Sequence, residues 1–247
     1  LAEAEAILAV PPERIAAELE PLEKDGLVVS VDGFVYLKSY HDDEKLIAEK
    51  LKILARQALP PGQPDFEGLA GDQKEALAKA ATSGVFILTG APGTGKTYTI
   101  KRIISSFPEI RVALAAPTGK AAKRVYEQSG RLALTIHKLL EPQKVGDSFV
   151  FTRNAENPIE ADLIVLDEVS MVDTPLMARF LEAVATGTRL ILVGDTYQLP
   201  SVGPGNILKD LIASGAIPST ELTIIKRQDE GLIIRNCHRI KNGQDIE

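Results

Sequence analysis

The sequence predicts an α/β protein, a parallel sheet with helices on both faces, preceded by a small winged-helix-like α+β segment. Three observations carry this. Five apolar runs too short for helices, at 85–89, 112–116, 163–166, 190–193 and 222–226, alternate with helical patterns, the signature of buried parallel strands joined by crossover helices. The first run leads through a glycine-rich loop into a helix with apolar teeth at Ile100, Ile103, Ile104 and Phe107, spaced as one helical face. Near the start, Asp32-Gly33 joins two short apolar runs, 27–31 and 34–37, a strong two-residue hairpin signal.

Taken in order, Pro11-Pro12 precede a helical stripe of Ile15, Leu19 and Leu22 that should stop at Gly26, with Pro21 expected to kink or split it. Helix, helix and hairpin is the order of a winged-helix module. DNA contact and a plain packing role both fit it, because the would-be recognition helix carries Glu13, Glu18, Glu20 and Glu23. A charged amphipathic stretch over 41–59 runs into Pro60-Pro61-Gly62 and Pro64, which reads as a linker. Asp72 should cap the next helix, with Glu75 completing a capping box. Thr174-Pro175 starts another, whose apolar residues Leu176, Met177, Phe180, Leu181 and Val184 end before Gly187. The predicted organisation is 1–40 winged-helix-like, 41–61 helical linker, 62–215 main α/β domain, and 216–247 its last strand plus the beginning of another domain.

The chain has 247 residues, 45% hydrophobic and 25% charged, enough for one sizeable core and a smaller neighbour. No apolar stretch approaches the ~20 residues that span a bilayer. A single cysteine, Cys237, excludes an internal disulfide framework and suits a reducing, cytoplasmic setting. The adjacent Cys237-His238 has no second ligand pair and reads as ordinary side chains rather than a metal site. A net charge of −6 argues against nucleic-acid attraction by bulk charge but not against a local basic face. Beginning at Leu1 without methionine, the chain reads as a piece of something longer.

Chemistry concentrates at the strand ends, where open α/β sheets bind ligands. Gly90-Ala91-Pro92-Gly93-Thr94-Gly95-Lys96-Thr97 satisfies G-x-x-x-x-G-K-[ST] and implies a nucleoside triphosphate site. Glycines let successive N–H groups turn onto phosphate oxygens at a helix N-terminus. Lys96 would reach the β- and γ-phosphates, and the Thr97 hydroxyl would ligate Mg²⁺. After 163–166 comes Asp167-Glu168, one carboxylate for Mg²⁺ and the next to polarise the attacking water. After 190–193 comes Gly194-Asp195, with Gln198 placed to hydrogen-bond a γ-phosphate, and after Lys226 comes Arg227, a cationic fork for phosphate.

The strand at 112–116 ends differently. Pro117-Thr118-Gly119 opens a helix carrying Lys120, Lys123 and Arg124 on one face, followed by Thr135-Ile136-His137. Hydroxyls, a helix N-terminus and a basic stripe suit a nucleic-acid backbone, with His137 available to stack or hydrogen-bond. The stretch 141–160 is long for a plain connection. Gly146-Asp147 marks a tight turn, with Phe149 and Phe151 alternating on one side of the strand after it.

Together Gly71-Asp72-Gln73, GAPGTGKT at 90–97, APTGKAAKR at 116–124, TIHKLL at 135–140, LDEVSM at 166–171, GDTYQLPSVGPGN at 194–206 and KRQ at 226–228 look like successive helicase motifs. Over about residues 40–247 the chain resembles the RecD-like branch of superfamily 1, which includes the alpha subunit of exodeoxyribonuclease V. The resemblance implies a RecA-like P-loop NTPase motor domain, with Gln73 at adenine, Lys96 and Thr97 at the phosphates and Mg²⁺, Asp167 on Mg²⁺, and Glu168 as general base. It further implies Gln198 and Arg227 as γ-phosphate sensors, and Thr118 with His137 along single-stranded DNA. Translocation from 5′ to 3′ and subunits of a nuclease–helicase complex as partners are also implied. For the 141–160 hairpin two readings stand, the pin that splits the duplex, which the resemblance suggests, and an inert surface hairpin. Such helicases carry a second RecA-like domain with a further arginine for the ATP site. Arg235 and Arg239 lack its surroundings, so the chain reads as a C-terminally truncated piece with little activity of its own. Two other readings stay open, an AAA-type ATPase that remodels proteins and a DNA-binding scaffold whose nucleotide is structural. Thr118, His137 and Gln198 in their contexts argue against the first.

Overall fold

In the computed structural model, residues 2–146, 148–224 and 239 are described. They divide into two units, residues 1–48 and 49–247.

The first unit holds α1 (Ala2–Leu8), α2 (Pro12–Lys24), the hairpin strands β1 (Val28–Val31) and β2 (Phe34–Leu37), and the beginning of α3 (Lys38–Arg56). Helix, helix and hairpin thus follow in the winged-helix order. The hairpin closes with Val31 opposite Phe34, and Asp32 and Gly33 both have positive φ, as a two-residue type I′ turn requires. Pro21 does not split α2, contrary to the sequence-based expectation. It stands near the helix end, and the carbonyl it leaves without a donor belongs to Ala17, an exposed residue that water can serve. The helix stops where expected, with the Leu27 amide donating back to Leu22 across Gly26.

The second unit continues with α4 (Gly71–Thr82), β3 (Val85–Gly90), α5 (Lys96–Ser105), β4 (Val112–Ala116), α6 (Gly119–Ser129), β5 (Ala133–Thr135) and α7 (Ile136–Leu139). A small antiparallel hairpin, β6 (Pro142–Val145) with β7 (Ser148–Phe151), precedes β8 (Leu163–Leu166), α8 (Thr174–Glu182), β9 (Arg189–Gly194), α9 (Ile207–Ser214) and β10 (Ser219–Leu222). Six of these strands form one parallel sheet in the order β10-β3-β9-β8-β4-β5.

Both sheet faces are buried. Phe86, Leu88, Leu114, Val165, Ile191 and Val193 share a core cluster with Ala76, Leu77 and Ala80 of α4 and Ile100, Ile103 and Ile104 of α5. Alternate positions such as Ile87, Ile164, Leu166, Leu190 and Leu192 point to the opposite face and are fully buried too, as are Met177, Phe180 and Leu181 of α8. Each such side chain stabilises the fold by about 1.5–3 kcal/mol relative to exposure. Phe107 lies past the end of α5, where it packs against the core cluster and under the Arg189 guanidinium, 4.5 Å from its ring centre.

Two local expectations are corrected. The α4 helix begins at Gly71 after Ala70, and it is the Gln73 carbonyl oxygen that accepts the Ala70 amide at 3.2 Å, while Glu75 pairs with Lys79. Among the described residues the last strand is 219–222, and the expected strand at 222–226 keeps only Leu222 of its described positions, residues 225 and 226 lying outside the described residues. Polar Ser219-Thr220-Glu221 suits the sheet edge, where an apolar run is not required, and past Leu222 the amides of Thr223 and Ile224 turn to the Asp72 carboxylate at 2.9 and 3.2 Å. The proline stretch 60–64 is bound down along its length. Arg189 donates to the Pro60 carbonyl, Gly62 to Ala81 and Gln63 to Ser106.

Candidate active site at the carboxyl edge of the sheet

Register brings the chemical groups together. Gly90 stands opposite Leu222, Thr89 opposite Gly194, Leu166 opposite Leu192, Ala115 opposite Leu166, and Ala116 opposite Thr135. The segments after β3, β9, β8, β4 and β5 therefore emerge along one edge. They are the phosphate loop, Asp195, Asp167-Glu168, Thr118 and His137.

The loop leaves β3 at Gly90, whose φ of 154° favours glycine. A Cβ there would stand 2.7 Å from Thr94 Oγ1 and 2.8 Å from the Leu222 carbonyl, so the loop turns directly against the neighbouring strand. Thr94 closes the turn by donating to the Ala91 carbonyl at 2.8 Å. Lys96 opens α5 and its Nζ donates to the carbonyls of Gly90 at 2.5 Å and Ala91 at 3.2 Å, curling the ammonium over the loop. Burial holds the Lys96 pKa below the ordinary lysine value, partly offset by Asp195, Asp167 and Glu168, all within electrostatic reach. With Pro92, Gly93, Thr97, Arg124 and Gln128 it lines an open cleft of about 420 Å³.

Asp167 is mostly buried. Burial pushes its carboxyl up to about 6, and the Glu168 charge adds to this; the Glu168 amide, Lys96 and Arg124 oppose the rise. The Glu168 amide donates to Asp167 Oδ1 at 2.8 Å from a backbone at φ 55°, while the Asp167 amide donates to the Ala115 carbonyl at 2.8 Å. The pair is thereby anchored to β4. Asp195, 2% exposed, accepts the Tyr197 amide on its carboxylate, and its carbonyl accepts the Gln198 amide. The loop that follows is held by close approach of Gly203 and Gly205 to Asp173 and Thr174.

The remaining sequence-predicted residues are placed as follows. Gln73 is 2% exposed. Thr118 caps α6, its hydroxyl accepting the Ala121 amide at 3.2 Å. Lys120, Lys123 and His137 are exposed, the last with its ring 6.0 Å from Phe151. Arg227 lies outside the described residues, as do Cys237 and His238. The basic stripe divides: Arg124 leaves it for the cleft, where Nη1 lies 3.6 Å from Glu168 Oε1. Gln128, which the motif reading passed over, accepts the Thr97 hydroxyl at 2.7 Å. Its i+4 spacing from Arg124 was the signal available in the sequence.

A divalent cation fits the donor set. A hydroxyl at Thr97 and a buried carboxylate at Asp167 are hard oxygens, and two protein ligands suit Mg²⁺, which completes its shell with phosphate and water. Among the described residues no cluster of three His, Cys, Asp or Glu side chains offers a self-contained metal site, and no helix is long and apolar enough to cross a membrane.

The chain is similar to several known proteins. The family described as an AAA domain matches residues 68–247. The ATP-dependent RecD2 DNA helicase of Deinococcus radiodurans is 36% identical over 250 residues, covering 96% of this chain and 34% of that protein. The RecBCD enzyme subunit RecD of Mycobacterium tuberculosis is 39% identical over 257 residues, covering 91% of this chain and 42% of that protein. The chain thus spans about a third to two-fifths of these relatives. Among solved structures, one of two coordinating Pif1 helicases at forked DNA aligns with a TM-score of 0.51 and 23% identity, over 71% of this chain and 48% of that one, a likeness of fold.

Proposed function

The chain belongs to the AAA domain family, and from that premise we propose that it is the ATP-hydrolysing motor segment of a RecD-like DNA helicase. One observation carries the reading. The strand order sets the phosphate loop beside three carboxylates, with Lys96 in electrostatic reach of Asp167, Glu168 and Asp195. The family label alone does not separate a helicase from a remodelling ATPase; the RecD-type relatives favour the helicase.

In the proposed chemistry the loop amides and Lys96 hold the triphosphate, Thr97 and Asp167 hold Mg²⁺, and Glu168 takes a proton from the attacking water. Bound Mg²⁺ would neutralise charge developing on the phosphates. Gln73 faces adenine and Gln198 senses the γ-phosphate; Arg227 is assigned the same role from its motif. Thr118, Lys120, Lys123 and His137 form one side of a single-strand track, phosphate contacts setting position and His137 meeting a base. Movement from 5′ to 3′ and association with nuclease subunits are proposed on the resemblance of the chain's motifs to RecD-like helicases alone.

A fluorescent ATP analogue titrated in Mg²⁺ tests the site. Lys96→Ala should weaken binding by at least about tenfold, the worth of a charged hydrogen bond, whereas Glu168→Gln should still bind. Equal affinity of wild type and Lys96→Ala overturns the assignment.

A further inference from the structure

Helix α6 reaches from one functional edge to another. Its first turn carries Thr118 as cap and Lys120 beyond it, on the side assigned to nucleic acid. One and two turns further on, Arg124 and Gln128 lie four residues apart and so share a face, and that face meets the nucleotide cleft. Each touches a different functional group. Arg124 Nη1 lies 3.6 Å from Glu168 Oε1, and Gln128 Oε1 accepts the Thr97 hydroxyl at 2.7 Å.

The chemistry of each contact is directional. A threonine hydroxyl has one proton, and with that proton committed to Gln128 its lone pairs are free to face a cation, as a metal ligand needs. Outer partners of this kind orient the ligands they touch. Glu168 has its amide committed to Asp167 and its backbone held at a left-handed φ, conditions that leave the aim of the carboxylate to its side-chain partner, Arg124.

We propose that Arg124 and Gln128 are positioning residues through which α6 sets the carboxylate of Glu168 and the hydroxyl of Thr97, so that a strand seated on the first turn of α6 is felt at the nucleotide. The inference rests on the ATP and single-strand reading given above. A rigid helix of three turns transmits a displacement at Thr118 to Arg124 and Gln128 without any change in its own hydrogen bonds, and both contacts are exposed enough to be remade.

The test uses Arg124→Ala, Arg124→Lys and Gln128→Ala in the intact protein. Three quantities are measured: affinity for a fluorescent ATP analogue with and without Mg²⁺, affinity for oligo-dT, and ATP turnover with and without oligo-dT. Gln128→Ala should lose about tenfold of the affinity gained on adding Mg²⁺, the usual cost of removing an outer partner, with metal-free affinity unchanged. Arg124→Ala should keep its oligo-dT affinity while the stimulation of turnover by oligo-dT falls about tenfold, as for a displaced reacting group. Arg124→Lys should restore part of that stimulation. Wild-type metal gain and wild-type stimulation in the alanine variants overturn the inference alone. A loss of oligo-dT affinity matching the loss of stimulation in Arg124→Ala also overturns it, making Arg124 a strand contact. A wild-type protein with neither Mg²⁺-dependent nucleotide binding nor DNA-stimulated turnover overturns the reading of the site beneath it.

Discussion

Just past the end of β8, Asp167 has its carboxyl pushed up to about 6 because burial disfavours its charged form more than Lys96 and Arg124 favour it. Unfolded, the same carboxyl titrates near 3.8. The folded state therefore binds the proton more tightly, and stability is full below pH 3.8 and declines as pH rises to about 6. Above that window the ionised carboxylate costs about 2–3 kcal/mol. Asp167→Asn removes the charge and keeps the shape, so in metal-free urea unfolding it should be more stable than wild type by that amount near pH 7.5 and equal near pH 4. Equal stabilities at the higher pH would show that the carboxylate is already compensated. Gly90 presents a steric constraint instead. Gly90→Ala places a methyl 2.8 Å from the Leu222 carbonyl at a φ of 154°, and should lower stability by about 1–3 kcal/mol together with analogue affinity. A variant that binds the analogue normally would mean the loop turns with more room than this.

Among the elements, β10 shows how an edge strand is ended. Its ladder to β3 runs from Ser219 opposite Ile87 to Leu222 opposite Gly90, after which Asp72 takes two successive amides. The carboxylate thereby ties the start of α4 to the backbone leading toward Arg227. Asp72→Ala should cost about 1.5–3 kcal/mol, the range for hydrogen bonds to a charged acceptor. Amide exchange at Thr223 and Ile224 should accelerate while β9 stays protected; unchanged exchange at those two amides would remove Asp72 from this role. At the other end of the sheet Arg189 begins β9 as a 3% exposed cation donating to the carbonyls of Pro60, Ala80 and Ser83. Neither tie was legible in the sequence. Asp72 reads in the sequence as a helix cap and Arg189 carries no signal there at all, because their partners lie more than a hundred residues away.

At the scale of the whole molecule, the hairpin of β6 and β7 is an insertion with its own closure. Glu141 and Arg153 pair at 2.9 Å across its base, reinforced by Thr152 and Arg153 amides donating to the carbonyls of Glu141 and Leu140. Toward its turn Val145, Phe149 and Val150 are 59%, 72% and 47% exposed. Phe151, by contrast, is drawn toward His137, so the two phenylalanines that alternate in the sequence have different surroundings. If the hairpin is the element that parts the duplex, deleting residues 144–151 from the intact protein should abolish unwinding of a forked substrate and spare DNA-stimulated ATP turnover. The pair at the base would survive that deletion. Unwinding at the wild-type rate after it would assign the hairpin another task.

What the sequence determined by itself is whatever depends on neighbours along the chain. The strand–loop–helix unit at 85–105, the turn at Asp32-Gly33 and the buried runs of β8 and β9 are legible because glycine placement, period and β-propensity are local properties. The α/β class follows from their alternation. What only the tertiary structure decided is which of these pieces stand side by side. The order β10-β3-β9-β8-β4-β5 places β8 and β9 between two strands joined by α5, and no local pattern encodes that crossover. From it come the meeting of Lys96 with Asp167, the turn of Arg124 away from the basic stripe toward Glu168, and the bond from Thr97 to Gln128. Each joins residues 31 or more positions apart in the chain. Contacts of that kind depend on how the buried faces pack, and packing is a property of the assembled sheet rather than of any segment in it.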